Sequence, residues 1–226
     1  MSGFLCSMVG VSSAVAAART PKTVTANGNA QVDTAQSKFG GASALFDGTT
    51  DGLSVDNSDF AFGTGDFTYE CFVRVADTNA FMLFDGTTPT GSSNAVSVWA
   101  QSGALYVYSG GWTYQGVGTI NNNTWYHVAV SRSSSNLRVF VDGTQVGTTQ
   151  AFSINFTQNS LHMGKARVDA GYDGNGHMDE IRVSNSARYT ANFTAPTTPF
   201  TNDSNTLLLI HADGTDASTT FTDDNA

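Results

Sequence analysis

The sequence predicts an all-β fold, a two-sheet antiparallel β-sandwich, on three observations. Apolar and polar residues alternate with period two in many short runs. Turn dipeptides such as Asn-Gly and Asp-Gly separate those runs. No stretch carries a 3.6-residue period for more than two turns, so long helices are absent from the expectation. Hydrophobic residues make up 40% and aromatics 11% of 226 residues, enough to fill one large sandwich. Gly, Ser, Thr and Asn are abundant and only 13% of residues are charged, which favours strands and turns over helices.

The strands follow in order. Thr23-Val24-Thr25 is β-prone and closes at Asn27-Gly28-Asn29. Ala44-Leu45-Phe46 stops at Asp47-Gly48, and Leu53-Ser54-Val55 alternates before Asp56-Asn57. Phe67–Val75 is the clearest period-two run of the first half. Phe67, Tyr69, Cys71, Val73 and Val75 share one face, and Thr68, Glu70 and Arg74 the other. Phe72 breaks that alternation and predicts a strand covered on both faces. Further strands are expected at Phe81–Asp85, Ala95–Gln101, Ala104–Ser109, Gln115–Thr119, Thr124–Arg132 and Asn136–Val141. Asp142-Gly143 then predicts a tight hairpin into Gln145-Val146-Gly147. Leu161–Lys165, Gly176–Ser184 and Thr206–His211 complete the series.

The net charge of −9, from 10 basic and 19 acidic residues, argues against nucleic acid, whose phosphates need a basic footprint. Of two cysteines, Cys71 sits mid-strand and Cys6 near the start; a reduced, buried Cys71 is the simplest expectation. Residues 1–21 read as an N-terminal arm. Their Ala-Val-Ala-Ala-Ala run is compatible with a cleaved signal, but the basic n-region is missing, which favours a retained arm. The stretch is too short and polar to insert in a membrane. The sandwich itself is expected over 22–226, including a C-terminal strand at 206–212.

Five segments in order resemble the laminin-G-like family of the concanavalin A-like lectin/glucanase fold, a jelly-roll sandwich. They are Phe39–Gly48, Gly65–Glu70, Asn123–Val130, Leu137–Gly143 and Gly176–Ser184. Such domains usually open with a Leu-Leu-Leu-x-x-x-Asp-Gly strand. Here that pattern stands at the end, as Leu207–Gly214, so the first strand is displaced to the C-terminus. It either fills its own sandwich or is held for a neighbouring subunit. Ala187–Pro196 and Gly3–Gly10 are further similar to structural proteins of marine tailed phages.

The resemblance implies a virion accessory protein, decorating a capsid or associated with a tail. Its partners would be other virion proteins, further copies in a homo-oligomer, and surface glycans. A secreted or cell-surface carbohydrate-binding lectin, extracellular in location, is the alternative. Exposed aromatics stack on sugar faces while Asn and Asp orient hydroxyls, which singles out Trp112 and Tyr114 in the Gly110–Tyr114 loop, with Asp173 and Asn175. Trp99, Tyr106 and Tyr108 are expected to cover the sheet or a subunit contact. Calcium is the one cofactor the acidic turns suggest, with Asp47, Asp179 and Asp213 as oxygen ligands at strand ends. The simpler reading of the same residues is that they make turns. No catalytic residues are expected. The wider fold's hydrolases use two nearby glutamates, whereas Glu70 and Glu180 lie on strands far apart in sequence, and the four histidines show no metal spacing.

Overall fold

The computed structural model describes residues 19–87, 94–109, 112–168 and 171–225. The arm at 1–21 therefore lies almost wholly outside the described residues, and Cys6 with it. Two antiparallel sheets pack face to face, and each strand belongs to one of them.

The first sheet contains β1 (Thr25–Asn27), β4 (Gly52–Asp56), β6 (Phe81–Asp85), β7 (Ser97–Gln101), β8 (Ala104–Tyr108), β9 (Trp112–Val117) and β13 (Ser160–Met163). Their spatial order is β1-β4-β13-β6-β7-β8-β9. The second contains β2 (Gln31–Asp33), β3 (Ser43–Asp47), β5 (Phe67–Val75), β10 (Tyr126–Ser133), β11 (Asn136–Val141), β12 (Thr144–Ala151), β14 (Asn175–Ser184) and β15 (Thr206–Ile210). These run β12-β11-β10-β5-β14-β3-β2, with β15 also on β14.

The period-two faces set the core. Phe67, Tyr69, Cys71, Val73 and Val75 of β5 enter it together with Val128 and Val130 of β10 and Val139 and Val141 of β11. Burial pushes the Cys71 thiol well above its ordinary value. Phe72 is also buried, in a separate cluster with Phe200 and Leu209 on the outer side of the sheet. The doubly covered strand predicted from Phe72 is what the structure shows. Asp142 (φ 47°) and Gly143 (φ 78°) form the positive-φ pair that the tight hairpin between β11 and β12 requires.

The C-terminal strand pairs with β14 of its own chain. The ten-residue β14 shares one edge between two short strands: β3 lies beside Asn175–Met178 and β15 beside Ile181–Ser184. Glu180 (φ 51°) stands between them, where the pairing with β5 shifts register. The tail then returns along the sheet. The Leu209 and Lys22 amides both donate to Asp223, at 3.0 and 2.8 Å, tying the two ends of the described chain together. Strand β2 is too short to be legible in the sequence. It is held by that same tail, the Val32 amide donating to the Ser218 carbonyl at 2.8 Å and the Ala217 amide to Val32 at 2.9 Å. No helix among the described residues is long and apolar enough to cross a membrane.

Candidate functional site

The outer face of the second sheet is closed. Residues 185–205 cross it and bring Tyr189, Phe193 and Phe200 around His127, with ring centroids at 6.0, 5.6 and 5.9 Å. Beneath them lies Glu70, fully buried. Its carboxylate accepts from Arg182 Nε at 2.8 Å and from the Tyr189 hydroxyl at 2.8 Å, and lies 3.2 Å from His127 Nε2. Burial alone would raise its pKa, but the His127 hydrogen bond and the Arg182 charge hold it below the usual glutamate value. Glu180 is equally enclosed, accepting from the Phe200 amide at 2.6 Å and bonded to His211 Nδ1 at 2.9 Å. Both glutamates thus carry structural bonds beneath the same crossing segment.

The outer face of the first sheet differs. In β7 and β8 the core receives Val98, Ala100, Leu105 and Val107, so the alternation turns Trp99 and Tyr106 outward. A two-residue hairpin at Ser102 (φ 51°) and Gly103 (φ 79°) sets Trp99 directly opposite Tyr106. Their rings stack with centroids 5.5 Å apart and planes at 12°. Tyr172 presents its edge to Trp99 at 5.3 Å and 89°. With Ala80, Met82 and Ala166 these form an apolar cluster separate from the main core.

Tyr172 comes from a loop spanning 164–174 that is pinned at both ends. The Gly174 amide donates to the Gly164 carbonyl at 2.6 Å, and the Gly164 amide to Met82 at 2.9 Å. A Cβ at Gly174 would run into the Phe81 ring, so the loop base needs glycine there. Buried Asp85 holds the middle: it accepts from the Arg167 amide at 2.9 Å, the Ser97 hydroxyl at 2.8 Å and the Thr87 amide at 3.0 Å.

Two depressions flank this cluster. One, of about 470 Å³, is lined by Thr78, Asn79, Gln101, Ser102 and Asp173, and touches the cluster at Ala80. The other, of about 220 Å³, is lined by Asn27, His162, Lys165 and Arg167, and touches it at Ala166. The Lys165 ammonium and an Asp173 carboxylate oxygen, 3.8 Å apart, link the two. The larger falls within the roughly 300–1,000 Å³ of small-molecule sites. Amides, hydroxyls and one carboxylate beside stacked aromatics can hydrogen-bond a polyhydroxylated ligand and cover its apolar side.

Of the residues expected to bind a glycan, Asp173 lines the larger depression. Asn175 stands beside it and donates to Asp77 at 2.8 Å. Tyr114 is a correction. The segment from Trp112 is a strand, and Tyr114 is buried in the core, its hydroxyl donating at 2.8 and 2.9 Å toward the Leu137 and Thr148 carbonyls. That side chain seals the end where the two sheets approach and offers no face to a sugar. Trp112 pairs with Tyr108 along the backbone, and its side chain lies outside the described residues. Trp99, stacked under Tyr106 and Tyr172, is only 3% exposed and covers the sheet as expected, while Tyr106 and Tyr172 are the partly exposed aromatics of the cluster. The direct opposition of Trp99 and Tyr106 across a two-residue Ser-Gly hairpin sets that stack.

The expected calcium ligands do not form a set. Among the described residues no group of three or more Asp, Glu, His or Cys side chains is placed to share an ion. Asp47 accepts from the amide and hydroxyl of Thr49, at 2.8 and 2.6 Å, which lowers its pKa. Asp179 is buried and accepts from the Lys38 and Phe39 amides at 2.7 and 3.1 Å. Desolvation pushes its pKa up to about 7. Asp213 is exposed and packs so closely on Gly40 that no Cβ would fit there. Each carboxylate organises its own loop, as the turn reading of these residues expects.

This fold and this open face place the chain in a known group. It belongs to the concanavalin A-like lectin/glucanases superfamily, whose laminin-G-type profile matches residues 47–192. No curated protein sequence matches the chain. Among solved structures, a carbohydrate-binding protein assigned as such in Bacteroides ovatus superposes with a TM-score of 0.53 at 16% identity, over 84% of this chain and 51% of that one. The present chain thus spans about half the length of that protein. Domain 4 of the extracellular arabinanase AbnA from Geobacillus stearothermophilus, solved with arabinotriose, gives 0.55 at 20% identity, covering 74% of this chain and 83% of that domain. A Trypanosoma rangeli sialidase gives 0.55 at 15% identity over 65% of this chain and 26% of its own length. At these identities the likeness is one of fold.

Proposed function

We propose that this protein is a non-catalytic carbohydrate-binding module that takes an oligosaccharide across the open face of its seven-stranded sheet. The observation that carries this reading is the Trp99–Tyr106–Tyr172 cluster set between two polar depressions, while the opposite face is closed by the chain itself. The carbohydrate-binding neighbours of the same fold support it. Both glutamates lie under residues 185–205, which supports the non-catalytic part.

The test is calorimetric titration of the purified protein with neutral and acidic oligosaccharides, followed by Tyr172→Ala and Asp173→Asn. Binding that weakens by about tenfold or more in each variant, the scale of an interface hot spot, supports the reading. No binding to any sugar, or binding unchanged in both variants, overturns it.

The setting proposed is a particle surface, as a capsid-decorating or tail-associated accessory protein of a virion. It rests on the phage-like sequence at Ala187–Pro196, which forms part of the segment over the second sheet. Immunogold labelling that decorates intact particles supports this placement; label confined to free or cell-surface protein favours the extracellular lectin.

A further inference from the structure

We infer that the smaller depression is an anion subsite, so that the glycan carries a carboxylate or sulfate group there. The inference rests on the carbohydrate reading above and sharpens it.

The chain has 19 acidic and 10 basic residues, yet the described lining of this depression contains no carboxylate. It gathers Lys165, Arg167, His162 and the Asn27 side chain around one space. Most of the other cations are engaged elsewhere. Arg182 and Arg188 hold Glu70 and Asp203, and Arg132 is enclosed by the carbonyls of Gly63, Gly65 and Ile154. Arg19 and Lys22 share Asp59.

Arg167 is held in place by its backbone, through the amide bond to Asp85, and its guanidinium makes a 3.2 Å bond to the Thr87 carbonyl through Nη1. Its ion pairing among the described residues includes no carboxylate within 4 Å. Lys165 is a third exposed and only loosely paired, 3.8 Å from Asp173. His162, bonded through Nε2 to the Ser160 hydroxyl at 3.1 Å, has its pKa lowered by burial and by the Arg167 charge against the opposing pull of Asp85 and Asp56.

An ordered arrangement results. Hydroxyl and amide partners fill the larger depression, and paired positive charge fills the smaller. A planar guanidinium with a flexible ammonium beside it suits a carboxylate or sulfate oxygen pair. On a protein of net charge −9 such a patch contributes only at short range, because the long-range field repels anions. The site therefore selects an acidic sugar by contact.

The experiment is titration with three probes: a trigalacturonate, a sulfated galactan oligosaccharide and neutral arabinotriose. The expected result is that one or both acidic probes bind at least about tenfold more tightly than arabinotriose, a gap of about 1.4 kcal/mol. Lys165→Gln with Arg167→Gln should abolish that difference, bringing the acidic-probe affinity down to that of arabinotriose measured on the same variant. Preference for carboxylate over sulfate, or the reverse, identifies which group the subsite takes. In the unmodified protein, NMR titration of His162 should show its pKa rising when the acidic probe is bound, a readout independent of how the variants fold. Equal binding of acidic and neutral probes, or an acidic preference that survives the double substitution, overturns the anion subsite while leaving carbohydrate binding standing. Failure of all three probes overturns both.

Discussion

The two sheets of this sandwich share one core but treat their outer faces in opposite ways. The eight-stranded sheet is roofed by residues 185–205, and what it buries is a polar network centred on Glu70, with Arg182, His127 and Tyr189 around it. Among the described residues the seven-stranded sheet is covered only in part, where Ala166 and Tyr172 pack on Trp99. Its outward residues are an aromatic stack with depressions on both sides. Buried charge without partners is expensive, so the closed face is complete in itself and resists change. An open aromatic and polar surface contributes less to folding and remains available for contact. The difference teaches where function belongs in a fold whose two layers are otherwise alike.

Four changes would break or sharpen that contrast, from the largest effect to the smallest. Deleting residues 206–226 removes β15, whose Leu207, Leu208, Leu209 and Ile210 are all buried. At roughly 1.5–3 kcal/mol per side chain, the loss rivals the roughly 5–15 kcal/mol net stability of a domain. The expected outcome is insoluble or unfolded protein by circular dichroism; a soluble, folded truncation would mean the strand is not integral to its own sandwich.

Next, Glu70→Ala leaves Arg182 beneath the roof without its carboxylate. It should cost about 3–5 kcal/mol in urea unfolding, with glycan affinity of the folded fraction preserved. A cost near zero would show the closed face to be as tolerant as the open one.

The third change concerns pH. Asp179 has its pKa raised to about 7 by burial. The folded state therefore holds this proton more tightly than the unfolded chain does. Its contribution to stability is fully present below the ordinary aspartate value and is lost as pH rises through about 7. Asp179→Asn keeps a carbonyl oxygen for the Lys38 and Phe39 amides but cannot ionise. The variant should gain on the order of 1–2 kcal/mol over the parent at pH 8 relative to pH 5. Parallel stability profiles from urea titrations at the two pH values would refute it.

The smallest effect on stability belongs to the open face. Tyr172→Ala removes an edge contact on Trp99 from a partly exposed loop and should cost below about 1.5 kcal/mol in the same assay. Its glycan affinity is what should fall. A stability loss matching that of Glu70→Ala would make the two faces equivalent.

Much of the fold is legible before the structure is seen. The alternating faces of Phe67–Val75, the intrusion of Phe72 and the Asp142-Gly143 hairpin are read from neighbours in the chain, because strand faces and tight turns are local matters. Boundaries moved where pairing is irregular. Strand β9 begins at Trp112, before the expected Gln115, and its pairing with β8 shifts register twice. Tyr114 and Tyr106 show the limit at the candidate site. Tyr106 falls in an expected strand and Tyr114 in an expected exposed loop, yet Tyr114 closes the core and Tyr106 lies on the outer side of the sheet. Asp173 could be singled out as a polar loop residue, but its position beside Gln101 and Asn79 depends on a loop folding back over a distant strand.

The amino-acid sequence by itself determined the strand class, the inward face of Phe67–Val75 and the Asp142-Gly143 hairpin. Those follow from side-chain period and from backbone φ preferences, which act over a few residues. Only the tertiary structure decided which outer face stays open, that the C-terminal strand divides the edge of β14 with β3, and that Asn27 and Leu53 come up to His162, Lys165 and Arg167. Those outcomes depend on which remote segment packs across which sheet. Burial over distances of a hundred residues and more leaves no periodic trace in the chain.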